Sequence, residues 1–108
     1  MHSREERLAM NEVLFRKAND RIDQKAEEDG VTEQLAFYCE CSDRDCTERI
    51  PISGSEFEMV RARPTQFLVR PGHQEPDVEF VVTETPLYLV VQKTGEAAEI
   101  VTEHLEDD

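Results

Sequence analysis

The chain has 108 residues, 34% of them charged, 38% hydrophobic and none Trp, so one small domain with a thin core is expected, which a metal ion or a dimer contact would help to stabilise. Its formal charge is −13, from 12 basic and 25 acidic residues, and residues 71–108 hold 1 of the basic and 10 of the acidic side chains. Such a chain repels a nucleic-acid backbone and suits a basic protein partner. No run approaches the roughly 18 apolar residues of a membrane span, and the start His2-Ser3-Arg4-Glu5-Glu6-Arg7 lacks the apolar run of a secretory signal, so the expected location is the cytoplasm.

Residues 3–28 carry a helical period. Leu8, Phe15, Ala18, Ile22 and Ala26 fall in one stripe with Asn11 inside it, while Arg7, Glu12, Arg16, Lys17, Asp20 and Asp23 occupy the opposite side. Glu12 and Arg16 are ordered for an i,i+4 pair. Ser3 and Glu6 match a capping box, and Gly30 is a C-terminal stop. The stripe is expected to lie against a sheet. The sevenfold spacing of Leu8, Phe15 and Ile22 also permits a homodimer through this helix, with Met10 and Val13 as a second contact surface.

From Leu35 to Cys41 the residues alternate as in a strand, with Leu35, Phe37, Cys39 and Cys41 on one face and Ala36, Tyr38 and Glu40 on the other. After the turn Ser42-Asp43-Arg44-Asp45 the chain resumes through Cys46, Glu48, Ile50 and Ile52, which predicts a hairpin with cysteines at its tip. Ser53-Gly54-Ser55-Glu56 is a capping-box match for a short helix closed by Pro64. A strand from Gln66 to Arg70 leads into the turn Pro71-Gly72-His73. The runs Val78–Thr83 and Leu87–Gln92 predict a second hairpin, apolar on both faces and therefore central in the sheet. The segment 95–108 is an acidic tail with a short helix and a frayed end. The fold class is α+β: an N-terminal helix over residues 1–30 packed on a small antiparallel sheet with a zinc knuckle, in a single domain spanning 1–108.

Three cysteines within eight residues, reduced in a cytoplasmic compartment, suggest metal coordination rather than disulfides. Structural zinc takes four sulfur or nitrogen donors in a tetrahedron. Cys39 and Cys41 project from one strand face, the turn returns Cys46 to them, and His73 is the candidate fourth ligand. Asp43, Asp45 or water could replace His73. Arg44 and Arg49 are candidates to offset the anionic charge of a three-thiolate site, and Glu40 and Glu48 are the nearest carboxylates. The expected cofactor is Zn2+.

The stretches Cys39 to Ile50 and Pro64 to His73 resemble small uncharacterised bacterial proteins that carry a CxCxxxxCxxxI knuckle and a downstream PxxFxVxPGH segment. Arg4 to Ile22 and Gly95 to Ile100 are similar more loosely, and Arg70 stands where an apolar residue would be expected. The resemblance implies that the three cysteines and His73 form one unit, and it supplies no activity. H-E-x-x-H, G-x-S-x-G and phosphate-binding glycine patterns are missing from the sequence. The expected function is therefore a non-catalytic, zinc-stabilised protein-interaction module, a regulator or adaptor. The alternatives are a small zinc enzyme or thiol redox sensor, or an acidic mimic of nucleic acid.

Overall fold

A computed structural model describes residues 4–31, 33–43 and 45–106, with no side-chain description for residues 4–6, 96 and 104–106. The elements run α1 (Arg4–Glu28), β1 (Gln34–Tyr38), β2 (Arg49–Ser53), α2 (Gly54–Arg61), β3 (Gln66–Val69), β4 (Glu79–Glu84), β5 (Leu89–Lys93) and α3 (Gly95–Glu106). The class is α+β, with two small antiparallel sheets in place of the expected one. β1 pairs with β2, and β3, β5 and β4 lie side by side in that order. The predicted capping box at Ser3 lies outside the described residues.

Several local expectations hold for the anticipated reasons. Gly30 takes φ 70° just past α1, and the Val31 N–H reaches back to the Ala26 carbonyl at 2.8 Å, a left-handed stop that frees the chain for β1. Ser53 caps α2 by accepting from the Glu56 N–H while Glu56 accepts in return from the Ser53 N–H. The hairpin register places Phe37 opposite Ile50 and Leu35 opposite Ile52. Phe37 then stacks on Phe57 of α2 with ring centroids 4.5 Å apart, at the centre of a core that includes Ile50, Ile52, Phe67, Leu68, Val91 and Val101. α3 runs through Glu106 and packs along α1 with Ala97 and Val101 buried.

Two expectations are corrected. The face of α1 turned inward is not the apolar stripe but Ala9, Glu12, Val13, Arg16, Asn19, Asp23 and Ala26. Leu8, Phe15, Ala18 and Ile22 are only half-buried, and Val13, assigned to a second surface, is in the core. The expected Glu12–Arg16 pair gives way to longer-range partners: Glu12 faces Lys93 of β5, and Arg16 pairs with Glu40. Polar side chains can occupy the inner face because each meets a buried charge or a backbone group there. The second correction concerns β4, which is an edge strand. Of the predicted hairpin only β5 is central, and Phe80, Val81 and Val82 remain exposed.

Candidate metal centre

Cys39 and Cys41 follow β1, Cys46 precedes β2, and His73 follows β3, so the donors come from both sheets. The hairpin is extended towards its tip by the Cys39 N–H bonding to the Glu48 carbonyl at 3.1 Å. Asp43 makes the return: its side chain accepts from the Asp45 N–H at 2.9 Å, and its carbonyl accepts from the Cys46 N–H at 3.0 Å. On the other side Gly72 takes φ 93° after Pro71, and the His73 N–H closes the turn on the Arg70 carbonyl at 3.0 Å. Proline second and positive-φ glycine third make this a type II turn, and the imidazole is presented at its end.

These turns bring one ligating atom of each of Cys39, Cys41, Cys46 and His73 within 4.8 Å of one another. His73 Nδ1 stands 3.5 Å from both Cys39 Sγ and Cys46 Sγ. Metal bonds of about 2.3 Å to sulfur and 2.0–2.1 Å to nitrogen at tetrahedral angles put the two donors about 3.5 Å apart. The cluster therefore has the spacing and donor chemistry to hold a metal ion. Cys39 and Cys41 are buried and Cys46 half-buried, and all three thiols are free. The Arg70 N–H points at Cys39 Sγ from 3.2 Å and favours sulfur in its anionic form.

Among themselves the thiols share protons unevenly. A hydrogen bond from the Cys39 thiol lowers Cys41 to about 5, and the same bond together with burial pushes Cys39 up. Burial also raises Cys46. One sulfur is thus readily anionic, and a cation would draw off the remaining protons. Of the alternatives to His73, Asp43 has a turn-forming role and Asp45 is exposed. Arg49 stacks over the Tyr38 ring, 3.7 Å from its centroid, and donates to the Ala36 carbonyl, so it braces the hairpin. Arg44 lies outside the described residues.

What sequence reasoning missed is the support beneath the cluster. Glu40, between two of the cysteines, is fully buried. Its carboxylate accepts from Arg16 Nε at 3.0 Å, Arg16 Nη2 at 3.2 Å, Asn19 Nδ2 at 3.0 Å and the Leu68 N–H at 3.0 Å, while its own N–H donates to the Leu68 carbonyl at 2.6 Å. Glu40 therefore stitches the cysteine-bearing loop to β3. Asn19 exchanges hydrogen bonds with the Tyr38 backbone at 2.7 and 2.9 Å, and Asn11 donates to the Ser42 carbonyl at 2.8 Å. α1 thus holds residues 38–42 from below. The one available signal was the polar series Glu12, Arg16, Asn19 and Asp23 recurring at helical spacing.

A second group, Asp23, Glu27 and Glu58, also has oxygens within 4.8 Å of one another, and burial followed by repulsion from Glu58 and Glu27 raises Asp23. Glu27 and Glu58 are exposed, as acidic side chains on so anionic a chain commonly are. Comparison with protein-family models, curated proteins and solved structures finds no match.

Proposed function

We propose that Cys39, Cys41, Cys46 and His73 bind one zinc ion and that the protein is a non-catalytic, zinc-stabilised interaction module, a regulator or adaptor acting on another protein. The observation that carries this reading is the donor set: four ligating atoms lie within 4.8 Å of one another, and Glu40, the buried carboxylate between two of the cysteines, has every bonding direction taken by α1 and β3. A catalytic zinc needs an open position for water and a free acid or base beside it. Three thiolates and an imidazole favour zinc over harder cations. When bound, the ion would supply a crosslink between the two sheets. A thiol redox sensor is the second reading, favoured by Cys46, which is only half-buried and so within reach of an oxidant. A homodimer through α1 would have to use Leu14, which is 63% exposed, and sedimentation velocity would read it.

Protein prepared without added metal is expected to carry about one zinc per chain by elemental analysis. His73→Ala is expected to weaken zinc retention and lower the melting temperature, and His73→Cys to restore much of both. Zinc near zero with quantitative disulfide formation defeats the proposal. An unchanged affinity in His73→Ala moves the fourth position to water or a carboxylate and the function towards an enzyme.

A further inference from the structure

Four of the large apolar side chains that stand exposed among the described residues, Phe80, Val81, Val82 and Leu87, lie on β4 or just after it. Among the described residues β4 has β5 on one side and no strand on the other. The opposite border of the same sheet is different: on β3 both the N–H and the carbonyl of Leu68 are bonded by Glu40. Native sheets usually protect an edge with charge, proline or a short strand. Here six residues of edge strand keep three consecutive apolar side chains in solvent, with a register shift between Val81 and Thr83. Beside them a cavity of about 180 Å³ opens between α2 and the sheet, lined among others by Glu56, Met59, Thr83 and Tyr88.

The surrounding charge selects the occupant. The one Lys or Arg in residues 71–108 is Lys93, and its ammonium is wholly buried. Glu84 is exposed at the end of β4, and Glu56 stands at the cavity with the Tyr88 hydroxyl donating to it at 3.4 Å. A second copy pairing antiparallel on β4 would bring together two chains of formal charge −13 at an edge where Glu84 is exposed and residues 71–108 offer no exposed Lys or Arg. Like charges opposite each other disfavour such pairing. We propose that β4 is a docking edge for an extended segment of another protein in which basic and apolar residues alternate. The segment adds as a further strand, its backbone pairing with β4, its apolar side chains covering Phe80 on the face shared with Thr83, and its cations meeting Glu84 on the opposite face. This rests on the reading of the protein as an interaction module and names the partner's chemistry.

The test titrates ¹⁵N-labelled zinc-loaded protein with an octapeptide of alternating Arg and Val. Two controls accompany it: the same peptide N-methylated at alternate backbone nitrogens, and one with Glu in place of Arg. Amide shifts are expected to concentrate in residues 79–84, with N-methylation weakening binding by ~10-fold or more and the Glu peptide not binding. The variant Phe80→Asp/Val82→Asp adds negative charge yet should bind the Arg peptide less well. Met59→Asp, at a site 77% exposed on α2, should do the same to a smaller degree without disturbing the sheet. Tighter binding by both Asp variants, indifference to N-methylation, shifts centred elsewhere, or no binding at all overturns the docking edge. Zinc content and melting temperature measured on the same samples report separately on the zinc-stabilised module, so either reading can fail without the other.

Discussion

Two buried charge clusters flank α1, and they are built on opposite principles. Around Glu40 one carboxylate meets a guanidinium, a side-chain amide and a backbone N–H, and Arg16 also donates to the Gln66 carbonyl and lies over the Phe67 ring, 4.4 Å from its centroid. Charge is balanced and the lone pairs are filled. At the other cluster a single ammonium, Lys93 Nζ, serves two carboxylates, Glu79 at 2.6 Å and Glu12. Glu79 also accepts from the Glu75 N–H, but both Glu12 oxygens are buried without a properly directed hydrogen bond. Burial is the main reason that Glu12 is raised well above the usual carboxylate range, with Lys93 opposing and Glu79 adding to the rise. The first cluster fixes geometry, whereas in the second burial raises the affinity of Glu12 for a proton.

The largest expected effect comes from unbalancing the first cluster. Arg16→Ala strands a buried carboxylate and should cost about 3–5 kcal/mol in urea unfolding, with any metal held by the cluster lost more readily because Cys39 and Cys41 flank Glu40. The double variant Arg16→Ala/Glu40→Ala should recover part of that loss, and strict additivity would contradict the pairing. Lys93→Met should cost less, about 2–3 kcal/mol near neutral pH, because Glu12, which burial already raises, can take up a proton when the ammonium is gone. Its loss should therefore shrink towards pH 5.

A subtler test separates the clusters by the sign of their pH dependence. A glutamate whose folded-state pKa is raised contributes stability below its ordinary range near pH 4.3, and that contribution falls as pH rises towards the folded value. Glu12→Gln should accordingly flatten the decline of stability on the alkaline side of pH 5 and change little below it. The metal centre has the opposite sign: thiolates and imidazole must shed protons to bind, so acidification should release the ion and loosen the fold together. Smallest of all, Lys25→Ala removes an exposed pair with Asp29 at 3.4 Å and should shift stability by no more than ~0.5 kcal/mol.

The parts of this molecule legible in the sequence are those where local chemistry and fold agree. The hairpin around the knuckle, the capped α2, the Pro-Gly turn and the four converging donors all follow from spacing and turn residues within short segments. The face of α1 was illegible because hydrophobic periodicity assumes that buried means apolar. Glu12, Arg16 and Asn19 violate that assumption through partners 19 to 81 positions away, at Tyr38, Glu40 and Lys93. Division into two sheets was hidden for a related reason: alternation marks a strand without naming its neighbour. β4 carries the apolar pattern of a central strand at an edge, and no periodicity distinguishes the two.

The position of His73, 27 residues beyond Cys46 and 34 beyond Cys39, sets an order of events for a chain emerging from the ribosome. The three sulfurs appear together on a segment that can close upon itself, so an ion can be captured early by an incomplete, three-donor site. The imidazole arrives only after α2 and β3 have been made. Closing a loop of that length costs only slightly more than closing a short one, since the penalty grows with the logarithm of the span. With a metal bound as proposed, nascent protein would thus pass through a stage in which the ion is held but exchangeable, and docking of β3 against Glu40 would be the step that locks it in.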